Sequence, residues 1–124
     1  MELNEFKGVV VGTDDTITTR SFKELRDLQG ADNGLLEHVV IDDDVHLYVN
    51  EEGLMMDLPV NLTIEWWLNQ RTGPRPESQF WLRGPAIVFG GIVDGYEQDV
   101  KPGIFEELEK SRPELLRYPD SDEI

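Results

Sequence analysis

The clearest alternation of apolar and polar positions in the chain runs from Val45 to Val49. Side chains in a β-strand point alternately to opposite faces of the sheet. Val45, Leu47 and Val49 therefore share one face, while His46 and Tyr48 share the other. This pattern predicts a β-strand.

A second strand is predicted immediately before the first, over residues 35–41, and a turn at residues 42–44 joins the two. Two such runs on either side of a short polar turn predict an antiparallel hairpin. In that hairpin His38 and His46 are expected to lie diagonally on one face, together with Tyr48.

Other short apolar runs, bounded by Gly, Pro, Asn or Asp, also predict strands. They cover residues 6–12, 54–56, 80–82 and 86–93. The last run is almost wholly apolar, which suits a strand in the centre of a sheet. Residues 63–68 leave two interpretations open, a helical turn or a strand. In either geometry the adjacent Trp66 and Trp67 point apart, so one of them is expected to be less buried than the other.

Two helices are predicted from the residues at their ends. Ser21 and Glu24 have the capping-box spacing, in which each side chain satisfies a free backbone N–H group of the other residue. Gly30 then ends this first helix. Pro102 opens the second helix, and Pro113 stops it.

These elements predict an α+β fold with a small, mainly antiparallel sheet and two short helices. Residues 71–79 contain two prolines and a glycine and predict a flexible loop. A chain of 124 residues and 14.2 kDa suits one domain. We expect residues 1–117 to form that domain and residues 118–124 to be an acidic, flexible tail.

The composition excludes several classes of protein. Apolar residues make up 39% of the chain, too many for a wholly disordered acidic protein. Cysteine is absent, which rules out disulfides, thiolate nucleophiles and Cys-based zinc or iron–sulfur sites. No apolar run is long enough to span a membrane, and the first residues lack the features of a secretory signal. We therefore expect a soluble cytoplasmic protein.

The charge narrows the choice of partner. Asp and Glu number 26 against 11 Lys and Arg, which gives a formal net charge of −15. Such a field repels nucleic-acid phosphates and anionic lipid headgroups, and it attracts basic protein surfaces. The expected partner is a protein with a basic surface, and not a nucleic acid or a membrane. Self-association stays open, and adaptation to high salt is the alternative explanation of the charge.

The carboxylates are densest between residues 42 and 57, a stretch without Lys or Arg. The candidate partner-binding residues lie in two turns of this stretch: Asp42, Asp43, Asp44, Glu51 and Glu52. Such an acidic edge could imitate a phosphate backbone and dock onto a basic groove. Alternatively, turns favour Asp for backbone reasons, and charged loops protect the edge of a sheet. The spacing lacks the features of a calcium-binding loop, so no metal site is expected.

A second candidate site lies in the least acidic part of the chain, where aromatic and cationic residues cluster in sequence. Its candidate ligand-binding residues are Trp66, Trp67, Arg71, Arg75, Trp81 and Arg83. Trp and Arg are common anchors of interfaces, and they could also line a pocket for a nucleotide or another small anion. The alternative places some of the tryptophans in the core and the arginines in a solvated loop.

No motif argues for catalysis, and no catalytic residue or cofactor is predicted. Two histidines need at least one further ligand to make a zinc site. Asp94, Asp99 and Lys101 resemble the carboxylate-and-lysine pattern of some metal-dependent nucleases, but their spacing is too short for it. A metal-dependent hydrolase is therefore only a third hypothesis.

Two short motifs resemble a known family: Asn50-Glu51-Glu52-Gly53 and, after it, Leu58-Pro59-Val60-Asn61. The family is a small domain of unknown function found in bacteriophages and mobile elements, often of actinobacteria, and the resemblance spans residues 21–95. It implies a phage or prophage source and an accessory role in the cytoplasm of a host cell. It brings no catalytic residue. We therefore expect a non-enzymatic accessory protein that binds and inhibits a host protein, with a sponge for a small anionic ligand as the alternative.

Overall fold

The computed structural model describes residues 2–24, 36–51, 56–74 and 81–113, with the backbone alone for residues 2–4 and 24. In these ranges the chain forms seven strands and two helices. The strands are β1 (Glu2–Val11), β2 (Ile17–Glu24), β3 (Leu36–Asp42), β4 (Val45–Asn50), β5 (Ala86–Phe89), β6 (Ile92–Val93) and β7 (Tyr96–Glu97). The helices are α1 (Leu62–Thr72) and α2 (Ile104–Lys110).

The first five strands form one sheet in the order β2-β1-β5-β4-β3, and every neighbouring pair is antiparallel. Strands β6 and β7 form a separate antiparallel pair. The predicted α+β fold, with a mainly antiparallel sheet and two short helices, is confirmed. All side chains of β5 are buried, which explains why its sequence is apolar without alternation.

Both faces of the five-stranded sheet carry a buried cluster. Val9, Leu47 and Val88 belong to the face that packs against Trp67 of α1 and Leu108 of α2. Burying each such side chain contributes roughly 1.5–3 kcal/mol, so this layer is the main core.

The opposite face holds a cluster of three phenylalanines and one isoleucine, none of them more than 1% exposed: Phe6, Phe22, Phe89 and Ile87. The rings of Phe6 and Phe22 stack with centroids 5.5 Å apart. This contact joins β1 to β2, because Phe6 and Phe22 are direct cross-strand partners.

The helix predicted to begin at Ser21 is wrong for the residues that the structure describes there, because Ser21 to Glu24 end strand β2. The capping-box spacing is a local signal, and the buried pairing of Phe22 with Phe6 outweighs it. The remainder of that predicted helix, residues 25–30, lies outside the described residues.

The ambiguous segment 63–68 is helical and belongs to α1. Trp66 and Trp67 point apart as predicted, since Trp67 is 1% exposed and Trp66 is 44% exposed. Asn61 caps this helix, its side-chain oxygen accepting the N–H of Ile64. Helix α2 begins at Ile104, two residues after the predicted Pro102, and ends before Pro113 as predicted.

The other predicted strands differ in part from the structure. The apolar run 86–93 is divided by Gly90 and Gly91 into β5 and β6. Met56 lies in a turn, and Trp81 and Leu82 are in no strand, so the short strands predicted at residues 54–56 and 80–82 are not found at these positions. Residues 54, 55, 75–80 and 118–124 lie outside the described part of the chain. None of the described helices is long and apolar enough to cross a membrane.

Candidate functional site

Asp42 organises the predicted acidic turn between β3 and β4. Its Oδ1 accepts the backbone N–H of Asp44 at 2.8 Å, and its Oδ2 accepts Nε of Arg71 at 2.8 Å. Burial alone would raise the pKa of Asp42, but these hydrogen bonds and the charge of Arg71 outweigh it and hold the pKa below its usual value. Both oxygens of Asp42 are thus engaged within the protein.

Arg71 joins this turn to both helices. Besides Asp42, its guanidinium donates to Oε1 of Glu107 on α2 at 3.3 Å. The same carboxylate oxygen accepts the indole N–H of Trp67 at 3.0 Å. The hydrogen bond to Asp42 raises the pKa of Arg71, so the cation is permanent. Asp42 and Arg71 therefore serve to position the turn.

Asp43 and Asp44 are exposed at the tip of the same turn. Among the described residues, no Lys or Arg side chain forms an ion pair with either carboxylate. We call this pair the acidic turn. Its two charges are the part of the predicted partner-binding set that faces solvent at this end of the sheet.

The apolar hairpin, residues 92–97, adjoins the acidic turn. A Cβ atom added to Gly91, just before this hairpin, would lie 3.1 Å from the carbonyl oxygen of Asp43, so the two backbones pass close to each other. Val93 and Tyr96 are direct cross-strand partners and are 57% and 59% exposed. The sequence analysis did not name Val93 or Tyr96 as binding residues and predicted no hairpin here, although Asp94-Gly95 between apolar residues is a strong hairpin signal.

Glu51 lies at the other end of β4 from the acidic turn, and Glu52 is outside the described residues. A strand rises about 3.3 Å per residue, so the acidic turn and Glu51 are roughly 20 Å apart. The described members of the predicted set are therefore divided between the two ends of β4.

The predicted placement of His38 and His46 on one face with Tyr48 is confirmed. His38 is the cross-strand partner of Tyr48, and its Nε2 lies 2.8 Å from Nδ1 of His46. The ring of Tyr48 stacks on that of Phe89 at 4.7 Å, and its hydroxyl donates to Oε2 of Glu97 at 3.1 Å. These contacts connect strands β3 and β4 to β7.

The electrostatics of this cluster favour a neutral His38. Burial is the main cause that lowers the pKa of His38, and the neighbouring His46 lowers it further, against a smaller opposing effect of Glu97. Burial and the carboxylate of Glu97 raise the pKa of Tyr48, so the phenol stays protonated and can donate its hydrogen bond.

Acidification should therefore destabilise the protein before its carboxylates titrate. The pKa of His38 is lower in the folded state than its ordinary value of 6.5. The unfolded chain thus binds the proton more readily, and the stability present above pH 6.5 is lost as the pH falls below it. We expect the melting temperature to fall between about pH 7.5 and pH 5.5.

His38→Gln provides the control, because glutamine can hydrogen-bond but does not titrate. Its melting temperature should change less over the same pH interval, as measured by circular dichroism. An equal decline in the wild type and in the variant would show that His38 is not responsible.

The second candidate site is a pocket of about 280 Å³ beside α1. We call it the Trp pocket, and its described lining residues are Glu65, Trp66, Asn69, Pro74 and Trp81. Trp66 and Trp81 are 44% and 54% exposed, so both rings are accessible to a ligand.

The other described residues that were predicted for this second site do not line the pocket. Trp67 is buried in the core and offers no accessible surface. Arg71 is held by Asp42 and Glu107, as described above. Arg83 donates from Nη1 to the carbonyl oxygen of Leu58 at 2.9 Å and to Oδ1 of Asp57 at 3.5 Å. Arg75 lies outside the described residues.

Within the described part of the chain, no group of three or more His, Asp and Glu side chains is arranged to hold a metal ion. His38 and His46 thus have no third ligand there. In the described part of the chain, His38 and His46 therefore form a hydrogen-bonded pair, and the exposed Asp and Glu side chains form surface charges.

The fold and these surfaces define a small, acidic α+β domain with an exposed acidic turn, an apolar hairpin and an aromatic pocket. The chain belongs to the family described as "Domain of unknown function (DUF3846)", whose model matches residues 6–111. The sequence-based expectation of a domain family of unknown function is thereby confirmed, and the match extends beyond residues 21–95 at both ends. Searches of curated proteins and of solved structures found no match.

Proposed function

We propose that this protein is a non-enzymatic accessory protein, of phage type, that binds a basic surface of a host protein and blocks it. The target would be a nucleic-acid-handling or defence enzyme whose basic groove the carboxylates occupy, in the manner of a DNA mimic. The observation that carries this proposal is the acidic turn: Asp43 and Asp44 are exposed beside the apolar hairpin, on a chain of net charge −15.

The combination of apolar and charged groups is typical of a protein interface. Interfaces have an apolar centre, in which tyrosine is enriched, and a polar rim. Val93 and Tyr96 would supply the apolar contacts, with the acidic turn at their side. The charges would accelerate encounter with a basic target, and the apolar contacts would extend the lifetime of the complex.

The nucleotide sponge receives less support from the geometry. Arg71 and Arg83 interact with acidic residues away from the Trp pocket, whereas Glu65 lines it. A carboxylate at the wall opposes the binding of a phosphate. Among the described residues, the acidic turn is thus the better-supported functional surface.

Salt should weaken the proposed complex strongly. We expect a target captured from a bacterial lysate at about 50 mM salt to be released by about 500 mM, because screening removes the attraction between exposed charges. The variant Asp43→Asn with Asp44→Asn should bind the purified target on the order of tenfold more weakly, mainly through a slower association rate. Surface plasmon resonance with the identified target measures both effects.

Asp42 is left unchanged in this variant, because its carboxylate organises the turn and holds Arg71. The proposal predicts that the double variant melts within a few degrees of the wild type. If the affinity of the complex did not change with salt concentration, the proposal would be contradicted. Unchanged affinity of the double variant for the target would contradict it as well.

A further inference from the structure

The two histidines of the chain form a pair on one face of the sheet. They come from the neighbouring strands β3 and β4, and Nε2 of His38 lies 2.8 Å from Nδ1 of His46. Both rings lie against the buried ring of Phe89, with centroids 6.0 and 5.7 Å from it. The sheet and this ring therefore hold two imidazole nitrogens side by side.

The spacing of these two nitrogens matches that of two ligands on one metal ion. An imidazole nitrogen binds a divalent first-row metal at about 2.0–2.1 Å. Two such nitrogens are about 2.9 Å apart when they bind at a right angle, and about 3.4 Å apart at the tetrahedral angle. The observed 2.8 Å corresponds to the right angle, which is typical of the tetragonal sites of Cu²⁺ and Ni²⁺. Zinc prefers tetrahedral sites and fits this spacing less well.

The hydrogen bond between the two rings is compatible with chelation. Neutral imidazole carries its proton on either nitrogen, so tautomers exist in which Nε2 of His38 and Nδ1 of His46 are both unprotonated. His38 is exposed, so its ring can turn to direct Nε2 toward a cation at the protein surface. Chelation therefore exchanges one hydrogen bond between neutral groups for two metal–nitrogen bonds.

Charges close to the pair also favour a cation. A Cβ atom added to Gly91 would lie 3.3 Å from Nε2 of His46 and 3.1 Å from the carbonyl oxygen of Asp43, so His46 lies close to the acidic turn. The side chains of Asp43 and Asp44 are exposed there, on a chain of net charge −15. The field of these carboxylates raises the local concentration of cations.

We propose that His38 and His46 form a chelating site for a divalent transition-metal ion, with Cu²⁺ and Ni²⁺ as the best-suited ions. Two imidazoles are too few for a structural zinc site, and among the described residues no third His, Asp or Glu is placed to join them. Water completes the coordination, so the bound metal is exchangeable. This inference goes beyond the proposed function and does not rely on it.

Electron paramagnetic resonance of the untagged protein with equimolar Cu²⁺, at about pH 7.5 where ordinary imidazole is mostly neutral, tests the site directly. Nitrogen ligands split the copper signal, and the pattern shows how many of them are bound. We expect two imidazole nitrogens in the wild type and at most one in His38→Gln or in His46→Gln. Each of these variants should bind Cu²⁺ at least about tenfold more weakly in calorimetry, because one ligand of the chelate is lost.

The control variant is His38→Gln with His46→Gln, which retains every carboxylate of the protein. It measures the weak binding of Cu²⁺ to the acidic surface alone. Mg²⁺ is the control ion, since it prefers oxygen ligands and should not displace Cu²⁺ from the histidines. Ni²⁺ should bind the wild type at least as tightly as Zn²⁺ does, because the right-angle spacing suits it better.

Two results would overturn the chelating site: a copper signal with fewer than two nitrogen ligands in the wild type, or equal affinity of the wild type and the double variant for Cu²⁺. Either would show that the protein holds the ion only through scattered surface carboxylates. Tighter binding of Zn²⁺ than of Ni²⁺ would overturn the right-angle geometry. All of these results leave the proposed function standing, because its test is the affinity of the acidic turn for the host target.

Discussion

Replacement of Asn61 with alanine is expected to lower the free energy of unfolding by about 3 kcal/mol or more. Asn61 is fully buried and joins three parts of the fold. Its Oδ1 accepts the N–H of Ile64 and caps α1, at 3.2 Å. Its Nδ2 donates to the carbonyl oxygens of Val11 and Gly84, at 3.0 Å each.

Alanine would remove the cap and leave two buried carbonyl groups without this donor. Loss of a cap typically costs about 1 kcal/mol, and each unsatisfied buried group adds about 1–3 kcal/mol. Because α1 carries Glu65 and Trp66, the Trp pocket should be lost under conditions that unfold the variant. Urea denaturation measures the change in stability.

Asn61→Asp separates capping from the contacts to the strands. Aspartate can still cap the helix, but it lacks the amide donor and brings a carboxylate toward two carbonyl oxygens. We expect it to be at least as unstable as Asn61→Ala. If Asn61→Asp were instead as stable as the wild type, capping would be the main role of Asn61 and the contacts to Val11 and Gly84 would matter little.

Gly90→Ala is the second substitution with a large expected effect, a loss of about 3 kcal/mol. A Cβ atom at Gly90 would lie 2.0 Å from the carbonyl oxygen of Asp99, which is backbone and cannot rotate away. Two hydrogen bonds hold the strands at this point, from Gly90 N to the oxygen of Gln98 at 2.9 Å and from Gln98 N to the oxygen of Gly91 at 2.8 Å. The segment after β7 must therefore move, and the apolar hairpin with it.

Gly95→Ala is the matched control, in the turn of the same hairpin. A Cβ atom there meets no atom within 4 Å, so only the positive φ of +83° opposes alanine. That conformation costs about 1–2 kcal/mol for an L-residue. Equal stability of Gly90→Ala and Gly95→Ala in urea denaturation would show that the close approach of Asp99 is not important.

The β3–β4 hairpin could be predicted because its signals are local and agree. Alternation specifies which face each side chain occupies, and a polar turn specifies the register. Together they placed His38, His46 and Tyr48 on one face. The α+β class followed from the same kind of signal.

Elements that depend on distant contacts could not be predicted in this way. Ser21 and Glu24 carry a helix signal, yet Phe22 is held in a strand by Phe6, sixteen positions earlier. Which of Trp66 and Trp67 is buried depends on α2, whose Leu108 belongs to the same core cluster as Trp67. No local pattern indicates that Arg71 pairs with Asp42, 29 positions away.

The sequence predicted which acidic residues lie in the turn, but not which of them are exposed. The sequence places Asp42, Asp43 and Asp44 in one turn, and only the structure separates the structural Asp42 from the exposed pair. Asp94-Gly95 is a local signal from which the hairpin of residues 92–97 could have been predicted. The close approach of Gly91 to Asp43 depends on the path of the chain after β5, which no local signal specifies.

On the proposed function, the acidic turn is a localised binding surface and not part of an even coat of charge. The most direct measurement compares two variants that each remove two carboxylates, using the affinity for the captured target at low salt. Asp43→Asn with Asp44→Asn alters the acidic turn. Glu37→Gln with Glu51→Gln alters exposed residues toward the opposite end of the β3–β4 hairpin. We expect a loss of about tenfold for the first pair and at most about twofold for the second. Equal losses would show that only the net charge matters, and would contradict the claim.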